Sequence, residues 1–215
     1  MNCFTMRFSA VFFDFDGVIG RTMEDNYRAW RYAFLKYGIN ISKHEYFLTE
    51  GMNTKKIASY FLGSVKRKKD KMRHIIELKE KHYLDNNKFS LYPGVNRVIL
   101  KLKKKGYKLG LISGGSFPRI SRTLGNKFLG YFDIIVTGDK IVNPKPHPEA
   151  YLKAANRLSI KPSECLVVEN APLGIASAKK AKMFCVALPT TLGRKFLLAA
   201  DKIIRRFLSL EKILL

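Results

Sequence analysis

Val11-Phe-Phe-Asp-Phe-Asp-Gly-Val-Ile19, close to the amino terminus of a 215-residue chain, decides how the rest is read. Ser9 to Phe13 has the pattern of a short buried strand, and it runs directly into Asp14 and Asp16. Two carboxylates separated by one residue on an emerging turn can face one pocket, where their charge demands a cation. Gly17 permits a tight backbone approach there. The apolar run is too short, and too soon acidic, for a signal peptide or a membrane span. A cytoplasmic protein without a membrane partner is the expectation.

From about Thr22 to Asn87 every segment reads as helix. Thr22 and Asp25 have the spacing of a capping box ahead of Met23 to Tyr37, and Gly38 closes that segment. Ser42 and Thr54 are expected to cap two shorter helices, and a longer amphipathic stretch covers about Lys69 to Leu84. The pattern changes after Tyr92-Pro-Gly94. A helix from Val95 to Lys105 precedes the apolar run Lys108 to Ile112, and further strands are expected at Phe132–Val136, Glu164–Val168 and Met183–Leu188. Alternating helices and β-branched apolar strands imply a parallel sheet covered on both faces. The helical block after the first strand reads as a cap, dividing the chain into a core of residues 1–20 and 88–215 and a cap of residues 21–87.

In open α/β sheets chemistry collects at the carboxyl ends of strands. The second such end, Leu111-Ile-Ser-Gly-Gly-Ser-Phe-Pro118, offers the Ser113 hydroxyl and backbone N–H groups before a helix, a suitable anion cradle. The third places Lys145 between Pro144 and Pro146, which hold its backbone extended and suit it to a transferring phosphoryl group. The fourth, Val167-Val-Glu-Asn-Ala-Pro172, sets Glu169 and Asn170 ahead of a helix beginning near Pro172, and such oxygen donors suit Mg²⁺.

These four sites together, in this order, resemble the haloacid dehalogenase superfamily, in particular its phosphatase and phosphomutase branch with a helical cap. The resemblance covers essentially the whole chain. It implies an α/β fold, a Rossmann-like doubly wound parallel sheet with an inserted small α-helical cap, and Mg²⁺ as cofactor. By resemblance Asp14 is the nucleophile and Asp16 the general acid and base, while Ser113 and Gly114 bind phosphate and Lys145 stabilises charge. Asp14, the Asp16 carbonyl, Glu169 and Asn170 then hold the metal. The expected reaction is hydrolysis of a small phosphomonoester, such as a sugar phosphate or phosphoglycolate, through an aspartyl phosphate.

The chain departs from that pattern in two places. Asn170 stands where Glu-Asp is usual, keeping a ligand oxygen but bringing no charge, which implies weaker metal binding. Arg21 and Asn26 stand where mutase-like relatives often have an acidic residue and a histidine, which favours a simple phosphatase over a β-phosphoglucomutase-type reading. The stretch Glu50-Gly-Met-Asn-Thr-Lys-Lys-Ile57 resembles the family's substrate-specificity loop, making Lys55, Lys56 and Asn26 candidate substrate contacts. Trp30, Tyr32, Phe34 and Tyr37 have the spacing of cap core. His147 reads as a helix-start residue rather than a base.

A content of 47% hydrophobic residues supports a full core. The formal charge of +23 is densest at Lys66–Arg73 and Lys101–Lys105, but basic residues elsewhere punctuate amphipathic helices as solvated side chains do. No helix-turn-helix, zinc-finger or RNP pattern is present, so a basic surface that steers phosphorylated metabolites is expected rather than a nucleic-acid site. A noncatalytic anion- or nucleic-acid-binding protein on the same fold is the third alternative. Cys3, Cys165 and Cys185 form no metal or redox pattern, and the last two read as buried reduced thiols. Monomer and dimer stay open.

Overall fold

The structure, a computed structural model, describes residues 8–63 and 68–215. Cys3 and the start of the first basic run, Lys66 and Arg67, lie outside the described residues.

Strand β1 (Ala10–Asp14) is buried along its whole length, as an unbroken apolar run in a central parallel strand must be. It lies between β2 (Lys108–Ile112) and β4 (Cys165–Glu169), with β3 (Ile134–Val136) beyond β2 and β5 (Phe184–Ala187) beyond β4. A two-residue β6 (Lys202–Ile203) completes the order β3-β2-β1-β4-β5-β6, and every pairing is parallel. The strand order reverses at β1, so a crevice opens above the carboxyl ends of β1 and β4.

Side-chain alternation divides the core into two layers. Val11 and Phe13 join Leu109, Leu111 and Val168 on one face, covered by α5 (Val95–Lys104) and α6 (Phe117–Leu129). The short terminal helix α9 (Glu211–Leu214) closes that layer through Leu214. Ala10 and Phe12 join Val167 and Cys185 on the other face, under α7 (Glu149–Arg157) and α8 (Pro172–Lys180). Helices on both faces of a parallel sheet make the expected doubly wound α/β fold. Cys165 and Cys185 are buried free thiols on β4 and β5, and burial pushes the Cys165 thiol up to about 12.

Between β1 and α5 the chain forms α1 (Met23–Leu35), α2 (Lys43–Leu48), α3 (Thr54–Leu62) and α4 (Lys68–Asn86). They bury a separate cluster around Trp30, Phe34, Ile57, Leu62 and Ile75, the helical cap. The chain enters and leaves this block along adjacent segments. Gly20 and Leu91 form an antiparallel bridge, flanked by Arg21 N–H to the Ser90 carbonyl (2.9 Å) and Tyr92 N–H to the Ile19 carbonyl (3.0 Å).

Four sequence expectations change. Thr22 occupies the N-cap of α1 but makes no capping bond, because its hydroxyl serves Asp16. Ser42 does cap α2, accepting from Glu45 N–H at 3.1 Å, but α3 is capped by Asn53 rather than Thr54, through Lys56 N–H at 2.9 Å. Tyr32 is 38% exposed and stacks on His82 instead of joining the cap core. β6 was not expected: two residues are too few to show alternation, and Asp201 fixes the strand by accepting Cys185 N–H at 2.7 Å. Among the described residues no helix is long and apolar enough to cross a membrane.

Candidate active site

Asp14 is the last residue of β1 and Glu169 the last of β4, so parallel strand register brings both carboxylates to the same crevice. Lys145 arrives between them from the loop before α7, 2% exposed, donating to Asp14 Oδ1 at 2.6 Å and Glu169 Oε1 at 2.5 Å. Its ammonium lies 5.1 Å from the ring centre of Tyr151, whose hydroxyl also donates to Glu169 Oε1 at 2.8 Å. Glu169 Oε2 accepts from the N–H groups of Asn170 and Ala171. Glu169 is thus committed on both oxygens and holds Lys145 in place. Burial opposes the Lys145 charge, yet Asp14 and Glu169 outweigh it and raise its pKa above the ordinary lysine value. Burial raises the Asp14 carboxyl above the ordinary carboxylate range against the pull of Lys145, with Glu169 and Asp16 adding to the rise. Two carboxylates thus share the single ammonium of Lys145 at this point of the crevice.

Asp16 faces the cap. Arg119, buried at the start of α6, donates to both of its oxygens, at 3.0 and 2.7 Å. Thr22 Oγ1 and Asn26 Nδ2 reach Asp16 Oδ1 at 2.6 and 3.0 Å, and Ser113 Oγ lies 3.4 Å from Oδ2. Burial alone would raise this carboxyl, but the charge and hydrogen bonds of Arg119, helped by Thr22, bring it down to about 2. Ser113 Oγ also accepts from Gly115 N–H at 3.0 Å, fixing the loop that carries Gly114.

The cap reaches into this site through the turn after α2. Gly51 adopts φ +95°, a left-handed conformation, and a Cβ there would lie 3.2 Å from Leu173 Cβ. On the opposite side a Cβ on Gly114 would stand 2.6 Å from the Met52 carbonyl oxygen. Cap and core backbones therefore meet directly. Glu50, 5% exposed, accepts from Asn170 Nδ2 at 2.5 Å and from Thr191 Oγ1 at 3.4 Å. The cavity between cap and core has a volume of about 40 Å³ and is lined by Asp14, Asp16, Trp30, Glu50, Lys79 and Arg119 among others. That volume lies well below the roughly 300 Å³ at which small-molecule pockets begin.

Among the described residues no three His, Cys, Asp or Glu side chains converge as a ready metal site. The donor set nonetheless fits Mg²⁺. Asn170 Oδ1 and Glu50 Oε2 are buried without a hydrogen-bond partner among the described residues, Glu50 lines the same cavity as Asp14, and hard oxygens are what that ion takes.

The sequence-predicted residues Asp14, Asp16, Ser113, Gly114, Lys145, Glu169 and Asn170 thus come together, with Asn26 against Asp16. Lys55 and Lys56 do not join them: both are exposed, because Ile57, Ala58 and Leu62 take the inward face of α3. His147, at the start of α7, accepts from Glu149 N–H through Nδ1, consistent with a helix-start role. Arg119, Glu50 and Lys79 were missed. Lys79, on α4, is 2% exposed, lies 5.5 Å from the Trp30 ring and 5.2 Å from that of Tyr83, and donates to Glu80 at 3.0 Å. Burial lowers its pKa to about 8, with Glu80 opposing and Arg119 adding to the fall.

Known proteins resemble this chain in sequence and fold. The chain is 29% identical over 206 residues to β-phosphoglucomutase of Bacillus subtilis, covering 92% of this chain and 89% of that protein. It is 28% identical over 208 residues to validoxylamine A 7'-phosphate phosphatase of Streptomyces hygroscopicus subsp. limoneus, covering 92% and 93%. It spans only 19% of the length of the Arabidopsis thaliana protein suppressor of quenching 1, chloroplastic, at 29% identity over 89% of this chain. The crystal structure of β-phosphoglucomutase from Clostridium difficile superposes with a TM-score of 0.83 at 27% identity, covering 96% of this chain and 97% of that one. Residues 11–188 match the family profile described as haloacid dehalogenase-like hydrolase, and that match spans Asp14, Ser113, Lys145 and Glu169. The chain belongs to the haloacid dehalogenase-like hydrolase family.

Proposed function

We propose that the protein is a Mg²⁺-dependent phosphatase that hydrolyses a small phosphomonoester, of sugar phosphate or phosphoglycolate type, by way of a phosphoryl group on Asp14. The observation that carries this reading is the buried contact of Lys145 Nζ with Asp14 Oδ1 at 2.6 Å, beside the Ser113 loop. In the first step the Asp14 carboxylate attacks phosphorus, the bond to the leaving oxygen breaks, and Asp16 supplies that oxygen with a proton. In the second, water attacks the aspartyl phosphate, Asp16 takes its proton, and inorganic phosphate leaves as the Asp14 carboxylate re-forms. Ser113, the Gly114 backbone and Lys145 bind the equatorial oxygens, where charge spreads. Asp14, the Asp16 carbonyl and Asn170 would hold Mg²⁺, with Glu169 orienting Lys145. When bound, the cation offsets repulsion between Asp14 and the substrate phosphate. In this reading residues 1–20 and 88–215 form the catalytic core and residues 21–87 the cap that selects the substrate.

Turnover of 4-nitrophenyl phosphate with and without Mg²⁺ tests the proposal. Activity should require the metal, and Asp14→Asn should lower it by at least about 10³-fold. Undiminished hydrolysis by Asp14→Asn would end this reading. Likeness to β-phosphoglucomutase over nearly the whole chain supports a second reading, phosphomutase. A mutase would convert a sugar 1-phosphate into its isomer faster than it releases phosphate. Asn26 beside Asp16, where mutase-like relatives often carry histidine, favours the phosphatase.

A further inference from the structure

Asn170 leaves the metal site one charge short of the usual pattern, and the cap places a carboxylate directly against it. Glu50 sits 120 residues away in sequence, on the turn between α2 and α3, yet its Oε1 accepts from Asn170 Nδ2 at 2.5 Å. A simple latch would satisfy both groups, but here it does not. Glu50 Oε2 and Asn170 Oδ1 remain buried without a hydrogen-bond partner among the described residues. A buried carboxylate oxygen left unpaired is costly, and so is an unpaired amide oxygen. These two oxygens belong to residues bonded to each other through Asn170 Nδ2 and Glu50 Oε1, and Glu50 lines the same cavity as Asp14, so together they offer the donors a hard cation takes. Thr191 at 3.4 Å steadies Glu50 from the core side, and Gly51 follows at once, bringing the turn against Leu173.

We infer that Glu50 is the second carboxylate of the divalent-cation site, delivered by the cap in place of the charge Asn170 lacks. This inference rests on the proposed metal-dependent phosphatase and assigns Glu50 a role beyond it. Because Glu50 belongs to the cap and meets Asn170 of the core across the junction, cation binding and cap closure would favour one another, and linkage makes the effect reciprocal. The position of the carboxylate therefore moves metal affinity from a fixed property of the core to a property of the closed form.

The test measures Mn²⁺ binding by electron paramagnetic resonance, and Mg²⁺ binding by calorimetry, on wild type, Glu50→Gln, Asn170→Asp and the double variant. Circular dichroism and melting without metal establish that each folds. Glu50→Gln keeps an oxygen able to accept from Asn170 but removes the charge, and it should weaken Mn²⁺ binding by about tenfold or more. Adding Asn170→Asp to Glu50→Gln should restore the affinity, since the charge returns to the core. Trp30, the chain's single tryptophan, lines the cavity from the cap and reports closure by fluorescence. A Mn²⁺-dependent change in its emission should occur in wild type and be lost in Glu50→Gln. A dissociation constant for Glu50→Gln equal to that of wild type overturns the role of Glu50 and leaves the phosphatase reading intact. A wild-type chain that binds no Mn²⁺ overturns both.

Discussion

Arg119 holds both oxygens of Asp16, at 3.0 and 2.7 Å, so the residue proposed to donate a proton is clamped in its charged form. A carboxylate held this low by Arg119 keeps its charge while that contact lasts, so for Asp16 to protonate the leaving oxygen in the first step the contact must loosen. The closed arrangement thus matches the second, hydrolytic step better than the first. In Arg119→Leu the Asp16 carboxyl should titrate about one to three pH units higher, read by carbon-13 NMR. The sign for stability follows from a folded pKa below the ordinary 3.8. The stabilisation that wild type gains from this pair is complete above about pH 4 and declines as pH falls toward about 2. An Asp16 titration unmoved by the substitution would refute the clamp.

Lys79 has the opposite sign. Its folded pKa of about 8 lies below the ordinary 10.5, so the buried ammonium lowers stability in full below about pH 8, and the penalty fades as pH rises from there and is gone above 10.5. Lys79→Met should stabilise the protein at pH 7 by an amount of up to about 3 kcal/mol, with the gain shrinking toward pH 10 in denaturant titrations. The same variant should bind anionic substrates more weakly, since a cavity-lining cation is lost.

Gly114→Ala would insert a methyl group 2.6 Å from the Met52 carbonyl oxygen, where backbone faces backbone and neither side yields cheaply. The cap turn should lift, raising KM and costing about 1–3 kcal/mol of stability. Steady-state kinetics and thermal melting check this; unchanged KM and melting temperature would show that closure tolerates the added carbon.

The formal charge of +23 should draw phosphorylated substrates toward the crevice from a distance. Raising NaCl from about 0.01 to about 0.5 M should reduce kcat/KM for an aryl phosphate several-fold, leaving kcat nearly constant, because salt screens approach more than buried contacts. Equal falls in both parameters would place the effect inside the site.

How much of this was legible in the sequence follows from how far each contact reaches. Asp14, Ser113, Lys145 and Glu169 each interrupt a predictable apolar strand or a proline-marked loop, and a parallel sheet gathers strand ends in one place without further information. Asn26 was visible only as a candidate substrate contact standing where mutase-like relatives often carry histidine, and its bond to Asp16 came from the fold. Arg119, Glu50 and Lys79 were not. Each is a charged residue on or beside an amphipathic helix, where the pattern reads as solvated surface. Only folding shows that Arg119 meets a partner 103 positions away, and Glu50 one 120 away. Lys55 and Lys56 give the reverse case: charge adjacent to a motif, turned outward because three apolar neighbours claim the inner side of α3.

The bridge between Gly20 and Leu91 means that the two crossings into the cap are hydrogen-bonded neighbours. Adjacent crossings act as a single axle: the cap can swing about them, and sliding sideways would break Arg21 to Ser90 and Tyr92 to Ile19 together. They also make the cap a detachable insertion in the topological sense. The cut ends left by excising it lie close enough for a few glycines to rejoin, with β1 still leading to α5 through the same bonded segments. Such a capless chain should retain Asp14, Lys145 and Glu169 in register while exposing them to water, separating what the sheet supplies from what enclosure adds.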